Sequence, residues 1–315
     1  MQTRKLATSD LNITSIGIGT WAIGGPDGNY NWGPQNDQDS IAAIHKAIDL
    51  GINWVDTAPA YGKGHSEEVV GKALKGLSKK PYIFTKNSLV WGEDRIIRNS
   101  LKKESIQKEC EDSLRRLGVE ALDLWQIHWP NPDRDIEEGW AEMAKLQKAG
   151  KVRWLGVSNF SPSQMDRAKA IAPIVSLQPP YSAIRRDIEK DILPYCAKEN
   201  IGVIVYSPMQ AGLLSGRMTK ERIQDLPEGD WRGRDGNFQE PKLTKNLALQ
   251  EAFAKIAKHH NHQAGVVALA WVLRKSEVTG AIVGVRDAKQ VEELAPALEF
   301  RLKSDELSEI EGFLS

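Results

Sequence analysis

The chain has 315 residues, 27% of them charged, with 42 Lys and Arg against 42 Asp and Glu for a formal net charge of zero. That balance gives no electrostatic reason to expect the clustered basic footprint of a nucleic-acid binder, and no apolar run approaches the ~18–20 residues that span a bilayer. The opening stretch from Met1 to Asp10 lacks the apolar segment of a secretory signal, and two cysteines, Cys110 and Cys196, are too few for a disulfide scaffold. They read as reduced and buried, so the expected compartment is the cytoplasm.

In chain order, segments 3–6 and 11–13 flank the turn Thr8-Ser9-Asp10 and predict a β-hairpin. Short β-branched runs then alternate with long amphipathic stretches. Strands are predicted at 15–19, 53–56, 82–86, 122–128, 152–158, 174–178, 202–206 and 281–284. Between them the helical period marks 39–50, 66–76, 102–117, 137–148, 162–171, 187–199 and a long region over 247–275 broken near His262. Helices at 288–298 and 305–313 close the chain. Helix starts carry the expected chemistry: Ser161-Pro162-Ser163-Gln164 combines an N-cap, a first-turn proline and a capping-box partner.

Eight βα repeats without a Pro/Gly/Ser linker point to parallel pairing in one domain over 1–315. The fold class is α/β, a (β/α)8 TIM barrel with an N-terminal β-hairpin covering its bottom mouth; a doubly wound sheet fits such regular repeats less well. The longest connections follow strands one, three and seven, at 21–36, 87–99 and 207–245. In a TIM barrel these lie on the C-terminal face, where active sites form.

Polar residues end the strands on that face. Asp56 ends the second strand, Tyr61 follows in its loop, Lys86 ends the third and His128 ends the fourth. Consecutive strands are neighbours, so the four side chains converge on one rim. A free phenol titrates near pH ~10 and is a poor acid at neutrality. An adjacent ammonium stabilises its phenolate, and a shift of ~2 units corresponds to about 2.7 kcal/mol. The expected roles are Tyr61 as acid, Lys86 as its tuner, Asp56 as the anchor of Lys86, and neutral His128 as a donor orienting a carbonyl oxygen. Singly, each residue has an ordinary structural use; together at neighbouring strand ends they describe a site that protonates a developing alkoxide.

The blocks Val55-Asp56-Thr57-Ala58-Pro59-Ala60-Tyr61-Gly62, Phe84-Thr85-Lys86, Gln126-Ile127-His128-Trp129-Pro130 and Gly156-Val157-Ser158-Asn159-Phe160 resemble, in order, the signatures of the aldo-keto reductase superfamily. The match covers essentially the whole chain and is nearest the bacterial general-stress and vegetative-protein branch. The resemblance implies reduction of aldehydes and ketones with NADP(H), on a small-molecule carbonyl substrate. Two other readings stay open: an NADP(H)-binding regulatory subunit of the channel-associated kind, and a polyol or sugar dehydrogenase working oxidatively. A monomer or weak homo-oligomer without nucleic-acid or membrane partners is expected.

Gly17-Ile18-Gly19-Thr20-Trp21-Ala22 mimics a dinucleotide fingerprint, but a loop follows where a Rossmann helix would start. The barrel's phosphate site instead lies between the loops after strands seven and eight. Ser207, Pro208, Gln210, Gly212 and Leu213 form the first of these loops. Gly284 and Arg286 lead the second, whose helix N-terminus favours an anion. Arg286 suits a 2′-phosphate, hence NADP(H). By resemblance, Ser158, Asn159 and Gln178 hold the nicotinamide carboxamide, Tyr206 stacks on its ring, and Gln290 and Glu293 reach the adenosine. Leu294 stands where relatives carry Asn.

Trp21, Trp91, Trp129 and Trp231 are the expected apolar walls of the substrate pocket, Trp21 also touching the cofactor, while Trp32 packs the loops. Trp231-Arg232-Gly233-Arg234 either clamps an anionic substrate or the pyrophosphate, or is a solvated segment. His259-His260-Asn261-His262 lacks carboxylate or thiolate partners at ligand spacing, so no metal site is expected.

Overall fold

The computed structural model describes residues 2–27, 32–228 and 230–314. Thr3–Lys5 pairs antiparallel with Asn12–Thr14, forming the expected hairpin. The barrel follows as β1 (Ile16–Gly19), β2 (Trp54–Asp56), β3 (Tyr82–Asn87), β4 (Leu122–Ile127), β5 (Val152–Ser158), β6 (Ser176–Gln178), β7 (Gly202–Val205) and β8 (Val278–Gly284). Each strand pairs in parallel with the next, and β8 returns to β1 through Ala281 opposite Ile16, closing the ring. This is the (β/α)8 barrel that the repeats predict.

Side chains alternate along each strand. Val55, Ile83, Trp125 and Val157 face outward into the layer shared with the helices, whereas Trp54, Phe84, Leu124 and Ile204 face the barrel axis. The hairpin plugs the bottom: Leu6, Leu11 and Ile13 are wholly buried against Trp54, Phe84 and Leu124. The indole of Trp54 fills the lumen and donates to the Thr14 carbonyl at 2.9 Å. Gly17 makes room for it, since a Cβ there would lie 2.1 Å from ring atoms of Trp54. One step up each strand, the same parity turns Asp56, Lys86 and Gln126 inward above this apolar floor.

Several boundaries differ from expectation. The long helical region resolves into Lys242–His259 and Ala264–Leu273, broken at the anticipated histidines. The region over 187–199 splits into a 3-10 turn, Asp187–Glu189, and a helix, Ile192–Lys198. β8 starts at Val278, three residues earlier than predicted, because Val278 and Gly280 already pair with β7. The loop after β3 carries its own antiparallel ladder, Leu89–Val90 against Arg98–Asn99. The Ser161 capping box forms as expected.

Candidate active site

β2 and β3 place Asp56 and Lys86 side by side, through the pairing of Asp56 with Phe84. Both are almost fully buried, and Lys86 Nζ donates to Asp56 Oδ1 at 2.6 Å and to the Thr57 carbonyl at 2.9 Å. Its third contact is the Tyr61 hydroxyl at 3.3 Å. A buried ammonium needs such compensation. Thr57 is held in turn by a hydroxyl chain, Thr57 to Ser66 at 3.0 Å and Ser66 to Thr20 at 2.7 Å. His128 follows β4, its ring edge-on to Tyr61 with centroids 5.9 Å apart. The structure therefore brings all four predicted residues together.

Their electrostatics match the expected roles in two cases and differ in one. Burial pushes the Lys86 pKa down, but the Asp56 charge and the neighbouring phenol outweigh this, and the net displacement is upward. Burial, with Lys86 adding to it, holds His128 well below the usual imidazole range, so the ring is neutral. For Tyr61 the sequence predicts a lowered pKa. Burial raises it instead, and Lys86 offsets this only in part while Asp56 adds to it, leaving a net rise. The phenol thus keeps its proton at neutral pH.

Asp56, Tyr61 and His128 line a cleft of ≈ 1120 Å³ on the C-terminal face, with Lys86 fully buried behind them. Gln178 donates to Asp56 Oδ2 at 2.8 Å and to Gln126 at 3.3 Å, and its Oε1 has no partner among the described residues. Asn159 adopts φ +62°, a conformation Asn tolerates better than most residues. From there it donates to the His128 carbonyl at 3.0 Å and accepts from the Tyr206 hydroxyl at 3.0 Å. Ser158 donates to the Gln178 backbone at 2.8 Å. Gln178, Asn159, Ser158, Tyr206 and Trp21 all line the cleft.

At the other end, Ser207, Gln210, Ala211 and Gly212 all have positive φ, making a tight turn that faces the cleft with Pro208. Gly284, Arg286, Gln290 and Glu293 line the opposite wall. The seven-residue helix Ala288–Leu294 is capped by its own Asp287, which accepts the Gln290 N–H at 2.8 Å, so its first turn is less open to an anion than expected. Arg286 is also engaged: Nε donates to Gln35 at 2.7 Å, and the guanidinium reaches the Trp32 and Pro34 carbonyls. Glu293 pairs with Arg217. Arg217 and Arg222 line the same end, and sequence reasoning passed over both because nothing separates them locally from surface charges.

Trp21 stacks on Trp231 at 5.5 Å and lies over Tyr61 at 6.3 Å, while Trp32 meets Trp21 and Trp231 edge-on. Trp32 is therefore part of the aromatic cluster. Trp129 lines the cleft, stacked on His128 at 6.4 Å. Two expected residues are not brought there: Trp91 stays outside the lining, and Leu213 is buried with Met218, Phe238 and Leu243 beneath the loop. Arg232 pairs with Asp230 and lies over Trp32, so the segment around it is packed. No cluster of metal-ligating residues occurs among the described residues; His260 pairs with Glu306.

A buried ammonium–carboxylate pair beside a phenol stands at the C-terminal face of a parallel eight-stranded barrel, the face where barrel enzymes carry their active sites. Residues 15–315 match the Aldo/keto reductase family. The chain is 37% identical over 317 residues to the aldo-keto reductase YhdN of Bacillus subtilis, covering 100% of this chain and 94% of that one. It is 32% identical to the NADH-specific methylglyoxal reductase of Escherichia coli, over 96% of this chain and 95% of that one. Among solved structures, a glycerol dehydrogenase from Gluconobacter oxydans superposes with a TM-score of 0.90 at 41% identity, covering 99% of this chain and 95% of that one. The chain belongs to the aldo/keto reductase family, whose members interconvert carbonyls and alcohols with a nicotinamide cofactor. No helix among the described residues is long and apolar enough to cross a membrane.

Proposed function

We propose that residues 1–315 form one domain that reduces aldehydes and ketones to alcohols with NADP(H), Tyr61 supplying the proton. The observation that carries this reading is Lys86 Nζ bonded to Asp56 at 2.6 Å and to the Tyr61 hydroxyl at 3.3 Å. The cleft suits a nicotinamide dinucleotide: the free Gln178 Oε1 can accept from a carboxamide, Tyr206 offers a ring face, and Arg217, Arg222 and Arg286 line the phosphate end. When bound, that group supplies the two electrons and the hydrogen delivered to the carbonyl carbon.

His128, held neutral, donates to the carbonyl oxygen and fixes its position. Tyr61 gives that oxygen its proton, and Lys86 stabilises the phenolate left behind. Three arginines at the phosphate end support NADP(H), although the Escherichia coli relative is named as NADH-specific. A glycerol dehydrogenase among the solved relatives favours a second reading, oxidation of a polyol by the same residues in reverse. The two buried free cysteines fit a cytoplasmic location. We infer a monomer or weak homo-oligomer.

Tyr61→Phe tests the mechanism. Turnover of 4-nitrobenzaldehyde and methylglyoxal should nearly vanish while cofactor binding, followed by fluorescence, persists. Substantial residual turnover would overturn the role of Tyr61. Running NADPH and NADH in parallel, forward and in reverse, separates the two readings.

A further inference from the structure

The cleft is markedly cationic in a chain with formal net charge zero: seven Lys and Arg side chains line it against four carboxylates. Part of this surplus belongs to the phosphate end. Elsewhere charge cancels locally, as Arg232 does with Asp230. Apart from Arg185, what remains is the ammonium of Lys63 and the guanidinium of Arg95, which share a single carboxylate, Asp27, in the loops around Tyr61.

The three residues come from the loops after β1, β2 and β3, and packing sets their meeting point. Gly62 has φ +63°, and a Cβ there would lie 2.0 Å from the Gly24 carbonyl oxygen, so only glycine allows this approach of the first two loops. The contact carries Lys63, two residues after the phenol, to Asp27 at 2.5 Å. The Lys63 side chain is only 7% exposed, and its ammonium makes no other side-chain hydrogen bond among the described residues. One carboxylate between two cations leaves a net positive charge; Arg95 is 61% exposed, but the shielded Lys63 ammonium lets an added anion interact more strongly than it would in water. The same cleft also presents apolar surface from Trp21, Trp129, Ile96 and Ile97, the last three being 40%, 56% and 38% exposed.

We propose that Lys63 and Arg95, bridged by Asp27, form an anion subsite, so that the preferred substrates are carbonyl compounds with an apolar spacer and a distal carboxylate. This deepens the reductase reading and rests on it. The carbonyl lies at Tyr61 and His128, the spacer against Trp129 and Ile97, and the carboxylate takes the donors that Asp27 leaves open.

The test compares kcat/KM for 4-carboxybenzaldehyde and 4-methylbenzaldehyde, similar in shape and differing in charge, with NADPH and with NADH. The wild-type ratio should favour the carboxylate by about tenfold at low salt and fall as salt is added. Lys63→Met and Arg95→Gln should each lower the ratio, and Asp27→Asn, which leaves both cations unneutralised, should raise it. A ratio near unity that none of the three substitutions moves, or a fall with Asp27→Asn, overturns the proposal. If neither aldehyde is reduced, the reductase reading fails by itself. Quenching of tryptophan fluorescence by the two aldehydes then still decides the subsite: tighter binding of the carboxylate, loosened by Lys63→Met, supports it, and equal binding overturns it.

Discussion

Gln178 and Asp56 are joined across the barrel axis: the Gln178 amide donates at 2.8 Å to the carboxylate oxygen that Lys86 leaves free. With Lys86 on the other oxygen at 2.6 Å, both acceptors of Asp56 are filled and the carboxylate cannot rotate. The same bond turns the Gln178 amide, so that its Oε1 is the atom left for a ligand. The proposed proton-donating site and the proposed carboxamide site are therefore parts of one inner polar layer, standing on the apolar plug of Trp54, Phe84 and Leu124.

Asp56→Asn tests what keeps Lys86 charged. Burial pushes the lysine's pKa down and the Asp56 charge is the largest effect opposing it. Without that charge burial prevails, and the ammonium loses its proton at a lower pH. We expect kcat/KM to fall about 100-fold and its alkaline limb to move to lower pH. An alkaline limb that stays in place would show that Asp56 is not the group holding the charge.

Arg286→Met addresses the 2′-phosphate. A charge-assisted hydrogen bond contributes about 1.5–3 kcal/mol, so NADPH affinity should fall about tenfold or more while NADH affinity changes little. Arg286 now donates to Gln35 at 2.7 Å, which a phosphate would have to displace. Gln35→Ala should therefore act in the opposite sense and tighten NADPH binding. Fluorescence titration with both cofactors measures this; an unchanged NADPH affinity in Arg286→Met would assign the phosphate to Arg217 or Arg222.

The barrel and the tetrad were legible because both depend on period. Two-residue alternation in runs such as Trp54-Val55-Asp56 fixes which side chains share the lumen, and strand order fixes which are neighbours. Pairings between loops carry no such period. Lys63, Asp27 and Arg95 come from three separate connections, and each looks locally like a solvated charge. Trp91 and Trp129 are equally aromatic loop residues, yet only Trp129 lines the cleft. The sign of the Tyr61 shift is not legible in the sequence for a different reason: it depends on burial, which loop packing decides.

Gly17→Ala probes the plug. The added methyl would meet the Trp54 ring at 2.1 Å, and the indole, held by the hairpin through the Thr14 carbonyl, has nowhere to retreat. Over-packing of this kind costs about 1–3 kcal/mol. Urea denaturation should show that loss, with the midpoint lowered and the slope unchanged. A variant as stable as wild type would mean that the hairpin yields easily.

Glu109 predicts a pH dependence of stability that owes nothing to catalysis. It lies on the helix Lys103–Leu117, 7% exposed, with one carboxylate oxygen accepting from Ser105 at 3.2 Å and the other without a partner. Burial pushes its pKa up from 4.5 to about 8, with Glu67 adding to the rise and Ser105, the Ser88 amide and Arg116 opposing it. The unfolded chain gives up this proton near the ordinary value, whereas the fold keeps it until about 8. Between those limits unfolding releases a proton, so rising pH favours the unfolded state. Below 4.5 both states are protonated and the effect vanishes; above 8 it is fully present. Glu109→Gln removes the titration while keeping an acceptor for Ser105. The difference in melting temperature, variant minus wild type, should therefore increase from about pH 5 to about pH 9 and then level off. A difference constant across that range would place the folded-state pKa of Glu109 near its ordinary value and locate the pH sensitivity elsewhere.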